Sequence, residues 1–313
     1  VQGQFFQKAL LPAGGKNIVM KLNLLIQLMA NGLVQGAIYS LLAVGFGILY
    51  RSLRFFDISY GALYTVSGYF MFVLIKLLHF DIFSSFLLSI ILTMLLAAVF
   101  EKGIYFHFYK RFASPIVMLV ASLGIYIFME NFVALLFGND IKVLSTGIEP
   151  SFRLGEIILT RIQLIQLAAG VVFTFVLFFL LSKSKYIKAL WALGDEPELV
   201  EVLNLPLKLL RVLAFMLAGF FVGTASILTS LDVGMDPHGG LNALLSAAVA
   251  VIIGGIDSIA GWIVGAYMLA LIQSLVIFQF SSRWTPLVTF GLLIIILLTK
   301  PQGLLGLKKR LEE

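Results

Sequence analysis

Cysteine is absent from this 313-residue chain, so neither disulfides nor thiolate metal sites enter its chemistry. Histidine is scarce, and His79, His107 and His238 show no metal-ligand spacing. No GxxxxGK[ST] loop occurs; Gly14-Gly15-Lys16-Asn17 lacks that pattern, so the chain carries no nucleotide-binding motif of its own. With no nucleophile and base in a catalytic spacing, a membrane enzyme is the weakest function class. Charge is sparse too, at 12% of residues, and sits almost wholly between apolar runs. The net charge of +6 comes mainly from lysines and arginines flanking those runs. That pattern reports orientation in a lipid bilayer and speaks against nucleic acid as a partner.

What remains is apolar: 60% of the residues are hydrophobic. The runs cover 22–50, 59–78, 82–100, 114–137, 163–181, 212–231, 241–256, 258–280 and 284–299, most of them long enough to cross a bilayer. The expected fold class is all-α, a polytopic membrane helical bundle of eight to nine transmembrane helices, with residues 1–313 forming one integral membrane domain. Basic residues favour the cytoplasmic side. The loops at 51–54, 102–111 and 183–211 and the tail Lys308-Lys309-Arg310 share that side only if 241–256 crosses fully, which gives nine spans. A re-entrant 241–256 gives eight. Small residues at Gly32 and Gly36, at Ala43 and Gly47, and at Ala214, Ala218, Gly219 and Gly223 predict close helix contacts. Alternation through 152–158 predicts a small hairpin.

A polar interruption spans residues 182–211. Within it Asp195 and Glu198 form a capping-box pattern, Pro197 suits a first turn, and Asn204 precedes Leu205-Pro206 as a stop. A helix of about two turns follows. Leu199, Val200, Val202 and Leu203 give it an apolar stripe, which either docks on a partner or lies on the end of its own bundle.

Inside the apolar runs, Glu130 is the costliest residue. With Asn131 it can line a solute path and attract an ammonium group, or sit protonated or hydrogen-bonded between helices. Asn31 and Tyr39 share a face of the first run, two turns apart, where they can line a path or bond to neighbouring helices. Asp57 and Asp257 each open a span and are expected as helix caps or gate residues. Asp57-Ile-Ser-Tyr-Gly61 and Asp257-Ser-Ile-Ala-Gly261 also echo each other, as in a repeat or, more simply, because aspartate caps helices well and glycine packs well.

Five stretches, in order, resemble the permease subunits of branched-chain amino-acid ABC importers, the LivH/LivM type. They are Asn31-Gly-Leu-Val-Gln-Gly36-Ala-Ile-Tyr39 with Ala43-Val-Gly45, Phe56-Asp57-Ile-Ser-Tyr60-Gly61, Ala121-Ser-Leu-Gly124 through Glu130-Asn131, Gly254-Gly255-Ile-Asp-Ser258-Ile-Ala-Gly261, and Lys300-Pro301-Gln-Gly303-Leu-Leu-Gly306. The sequence departs from the family at Asp57, where Asn is usual, at Tyr60, where His is usual, and at Glu130, where Gln is common. Leu199-Val200 and Asn204 replace small residues and a glycine.

The resemblance implies a binding-protein-dependent importer permease in a bacterial inner membrane, with 182–211 as the cytoplasmic ATPase-coupling loop and Gly194, Asp195, Glu198, Leu199 and Leu203 as its coupling residues. It implies as partners a second permease subunit, homologous or identical, two cytoplasmic ATPase subunits and an external solute-binding protein. No cofactor is expected on this chain; ATP and Mg belong to the partner subunits. Amino acids are the implied cargo, with urea and short amides open. An ion-coupled secondary transporter is the rival class, and it calls for more intramembrane acids than Glu130 alone.

Overall fold

The computed structural model describes residues 16–144, 150–155, 157–183, 189–190, 193–194 and 206–306. Each apolar run of the sequence is a helix. They are α1 (Lys16–Leu53), α2 (Ser59–Phe72), α3 (Ile82–Phe100), α5 (Pro115–Phe137), α6 (Arg161–Lys183), α7 (Leu207–Val233), α8 (Gly239–Gly254), α9 (Ile259–Gln279) and α10 (Thr285–Thr299). A π-turn at Val73–Leu77 extends α2, and another at Glu101–Tyr105 carries α3 into α4 (Phe106–Lys110). Six of the helical stretches are long and apolar enough to cross a membrane, with three shorter apolar helices beside them. The predicted hairpin is present: β1 (Ser151–Leu154) pairs antiparallel with β2 (Ile157–Thr160).

Helix α1 is the axis of the bundle, touching α9, α7, α8 and α6. Its glycines let neighbours approach: a Cβ on Gly36 would lie 2.4 Å from the Tyr267 ring, and one on Gly47 would lie 2.6 Å from Trp262. Small residues on α7 serve α3 likewise, Gly219 facing Ala97 and Met94. Trp262, Tyr60, Tyr105, Phe46 and Phe215 fill the centre, all fully buried.

Among the described residues, the nine apolar helices alternate in direction along the chain. The end of α1, the α8–α9 turn and the segment after α10 meet at one end: Arg51 pairs with Asp257, and Leu304 N–H and Leu305 N–H donate to the Ile253 and Gly254 carbonyls at 2.8 and 2.9 Å. Gly255 (φ 107°) and Gly303 (φ 81°) occupy left-handed backbone where they touch, a conformation that excludes most side chains. The closing Pro-x-Gly-x-x-Gly stretch is thus the C-terminal cap of α8. At the opposite end the Gln27 amide bonds both ways to the Ile158 backbone, and Lys142 exchanges two backbone bonds with Met235. Run 241–256 therefore reverses the chain like its neighbours, although at 16 residues α8 is only about 24 Å long.

One expectation, on where two helices end and begin, needs correction. The basic segment 102–111 is helical through Lys110, and α7 begins at Leu207, ahead of Arg211. Both shifts have one cause: Arg211 and Glu101 neutralise each other inside the bundle, so neither ends its helix. The 57–61 stretch packs on the entry to α8. Gly61 lies against Gly240, and each would place a Cβ within 2.9 and 2.2 Å of the other's carbonyl oxygen. Asp57 accepts from Ser59 N–H, and Asp236 accepts from His238 N–H, two residues on in each case. Gly261 instead packs on Gly254 within the α8–α9 hairpin.

Candidate functional site

Along α1, four polar residues recur every fourth position: Gln27, Asn31, Gln35 and Tyr39. A period of four on a helix keeps them on one slowly turning face. Gln27, held by the hairpin, donates to Asn31 Oδ1 at 3.1 Å. Below it a cavity of about 380 Å³ opens between α1, α9 and the start of α10, lined by Leu28, Asn31, Gln35, Tyr39, Gln273 and Ser274 among others. A second cavity of about 170 Å³ continues past Gln35 and Tyr39 to the first turns of α8, where Gly239, Asn242 and Ser246 face Tyr64 and Thr229. Gln35 and Tyr39 line both, so the two cavities lie next to each other along one polar seam of α1.

The seam is polar without being charged. The Tyr39 hydroxyl donates to Gln273 Oε1 at 2.9 Å, and Gln273 Nε2 donates to Thr289 Oγ1 at 2.6 Å. Among the described residues, no charged side chain lines either cavity. Leu28, Ile38, Leu42 and Ile277 supply apolar wall between the polar groups. Such a lining suits a small solute with no net charge, offering hydrogen bonds to polar ends and contact to an alkyl part.

Of the sequence candidates, Asn31 and Tyr39 come together here. Glu130 and Asn131 do not. Glu130 faces His238 at the entry to α8, its Oε1 lying 2.6 Å from His238 Nδ1. Asn131 donates to the Ile127 carbonyl of its own helix. Glu130 thus has a partner that no local pattern announced, 108 residues away.

Asp57 is fully buried, and its Oδ1 accepts from Ser59 N–H, Ser59 Oγ–H and the Tyr105 hydroxyl. The formal N-cap of α2 is Ile58, so Asp57 caps from one residue further out. Oδ2 has no hydrogen-bond partner among the described residues. Burial pushes this carboxyl up to about 6, against the opposing hydrogen bonds from Ser59 and Tyr105. Asp257 does not cap α9; Ser258 does, its Oγ accepting from Gly261 N–H. Asp257 instead pairs with Arg51. An ion pair across two elements outcompetes a local cap because the neighbouring serine already fills that role.

The polar interruption is described only in part. Asp195, Glu198, Leu199 and Leu203 lie outside the described residues. Gly194 lies within them, buried against the last turn of α1. Leu190 and Leu193 are buried in the same place.

The seam's residues missed by sequence reasoning are Gln35, Gln273, Asn242 and Ser246. Gln35 carried a signal, since it sits midway between Asn31 and Tyr39 on the same face.

A family described as "Branched-chain amino acid transport system / permease component" matches residues 28–297. The high-affinity branched-chain amino acid transport system permease protein BraD of Pseudomonas aeruginosa is 26% identical over 295 residues, covering 90% of this chain and 95% of its own. The corresponding permease protein LivH of Escherichia coli is 24% identical over 293 residues, with the same coverage of 90% and 95%. The autoinducer 2 import system permease protein LsrC of Yersinia pestis is 29% identical over 127 residues, covering 37% of this chain and 36% of its own. Among solved structures, PsaBC from Streptococcus pneumoniae in complex with Fab is 14% identical, covering 90% of this chain and 92% of that chain with a TM-score of 0.43.

Proposed function

The chain belongs to the family of permease components of branched-chain amino acid transport systems, and from that premise we propose that the seam along α1 is the route of a net-neutral amino acid through an ATP-driven importer. The protein is a multi-pass membrane permease, and it does no covalent chemistry on its cargo. Its task is to offer a lined path and to alternate the side to which that path opens, while ATP is bound and hydrolysed on separate subunits. We place the basic end of the bundle, with Arg51, Arg54 and the 182–211 loop, on the cytoplasmic side of the inner membrane. A second permease subunit, two ATPase subunits and an external binding protein complete the assembly.

The observation that carries the reading is the uncharged seam. A zwitterionic branched-chain amino acid has no net charge, two polar ends and an alkyl side chain. Neutral amides and hydroxyls hydrogen-bond the ends weakly enough to release them, and the leucine and isoleucine walls accept the side chain. Asn31, Gln35, Tyr39 and Gln273 are the lining groups. Glu130 and Asn131 stand apart from them, and Glu130 acts through His238 at the entry to α8.

Reconstitution in proteoliposomes with the ATPase subunits and binding protein tests this. Uptake of leucine, isoleucine or valine should require ATP and resist collapse of ion gradients, and urea and short amides should be poor cargo. ATP-independent uptake driven by a proton or sodium gradient would overturn the proposal. On the cytoplasmic side, replacing Leu199 and Leu203 with aspartate should leave the permease folded and lower transport per ATP hydrolysed.

A further inference from the structure

We propose that Arg54 is the residue through which the 182–211 loop moves α1, and so couples ATP hydrolysis to the seam. The inference rests on the reading that this loop meets the ATPase subunits.

Helix α1 stops at Leu53, and Arg54 follows in the left-handed region at φ 56°, its N–H still bonded to the Tyr50 carbonyl at 2.9 Å. A side chain longer than glycine's is strained there and persists only where its surroundings hold it. The loop is one of the groups that hold Arg54: its Nε–H donates to the Gly194 carbonyl at 2.7 Å, across 140 residues of sequence. Gly194 in turn touches α1 directly, for a Cβ at that position would lie 1.8 Å from the Arg51 carbonyl oxygen. Loop backbone and helix backbone are therefore in contact, with the guanidinium fastening them.

The other side of the same turn is fastened differently. Arg51 is nearly buried and pairs with Asp257 in the α8–α9 turn, while Arg54 Nη1 stands 4.0 Å from the same carboxylate. Arg51 thus ties α1 to α9, and Arg54 ties that pair to the loop. Both cations also suit the negative end of the α1 dipole. From this joint α1 and α9 run together, through the Gly47–Trp262 and Gly36–Tyr267 contacts, to the Tyr39–Gln273 bond that crosses the seam. Displacement of Gly194 reaches the cargo route along one continuous helix pair, and Arg54 is the charged side chain that fastens the loop to that pair, beside the weaker bond from Ser52 Oγ to the Leu190 carbonyl at 3.4 Å.

The test measures transport per ATP hydrolysed in the full transporter. Arg54→Ala should lower that ratio about tenfold, a coupling free energy of the size that a few contacts carry between sites. Arg54→Lys keeps the charge facing Asp257 but loses the Nε–H, and should fall between Ala and wild type. A purely structural role reduces the amount of complex and so lowers uptake and hydrolysis together. A wild-type ratio in Arg54→Ala overturns the proposal, whatever the yield. If that variant does not assemble, Arg54→Lys decides: a lowered ratio supports the link and a wild-type ratio removes it. Leu199→Asp with Leu203→Asp separates the two readings, since an unaltered ratio there removes the loop's role itself. A lowered ratio there with wild-type behaviour of the Arg54 variants removes only this link.

Discussion

Arg211 grips Glu101 with both ends of its guanidinium, and the two side chains are 4% and 0% exposed. The Tyr109 ring lies over the same guanidinium at 4.4 Å. A buried pair is costly to form but costlier to break, because removing one partner strands the other charge. Arg211→Met alone should therefore cost about 3–5 kcal/mol of stability. Adding Glu101→Leu should recover most of it. Thermal unfolding in detergent measures both, and additive losses would contradict the pairing argument.

At the seam, Tyr39→Phe removes the hydroxyl that donates to Gln273 Oε1. A buried acceptor left without its donor costs about 1–3 kcal/mol. Since Gln273 also bonds Thr289, the amide should turn and alter the cavity wall. The expected result is slower uptake with ATP hydrolysis and assembly preserved, read as flux at saturating binding protein. Loss of assembly with unchanged flux per complex would place this bond in packing alone.

Two glycine substitutions should part company. An alanine at Gly240 meets the Gly61 carbonyl oxygen at 2.2 Å, a distance no side-chain rotation relieves. Its cost should be about 2 kcal/mol or more, in the class of overpacked or strained sites. Gly124 on α5 has nothing within 4 Å of the corresponding position. Gly124→Ala should leave the thermal midpoint unchanged or slightly raised.

Asp57 gives a pH dependence with a definite sign. Its carboxyl is raised from 3.8 to about 6 in the folded protein, chiefly by burial. The folded state therefore holds this proton more tightly than the unfolded chain. The stabilisation is full below about pH 4 and is lost as pH rises through about 6. Two units correspond to about 3 kcal/mol. Asp57→Asn should flatten the dependence across that window and raise the thermal midpoint at neutral pH. An unchanged slope between pH 4 and 6 would show that another group titrates there.

The helices were legible because long apolar runs leave a chain in lipid little alternative. Helix ends were less so. Arg211 and Lys102 read as water-facing punctuation, yet Arg211 lies inside because Glu101, 110 residues away, meets it. The same limit applies to the site. Asn31 and Tyr39 were visible as a shared helix face, and a stricter count along that face adds Gln35. Gln273 was out of reach, since its bond to Tyr39 spans 234 residues and no local period encodes it. Asp257 shows the converse error: a good local cap by composition was diverted by a distant arginine, with Ser258 taking its place.

Helix α1, Lys16–Leu53, is 38 residues long without a proline, and it is tied to the hairpin at Gln27 and to the clamp at Arg54 just past its end. A beam with no proline hinge, tied at Gln27 and at its far end and lined between the two, would answer a push chiefly by tilting. Were one tip to swing inward the other would swing out, so a single rocking stroke would narrow one mouth of the seam as it widened the other. Strict alternation would then need no second timing device, because the beam cannot lean both ways at once.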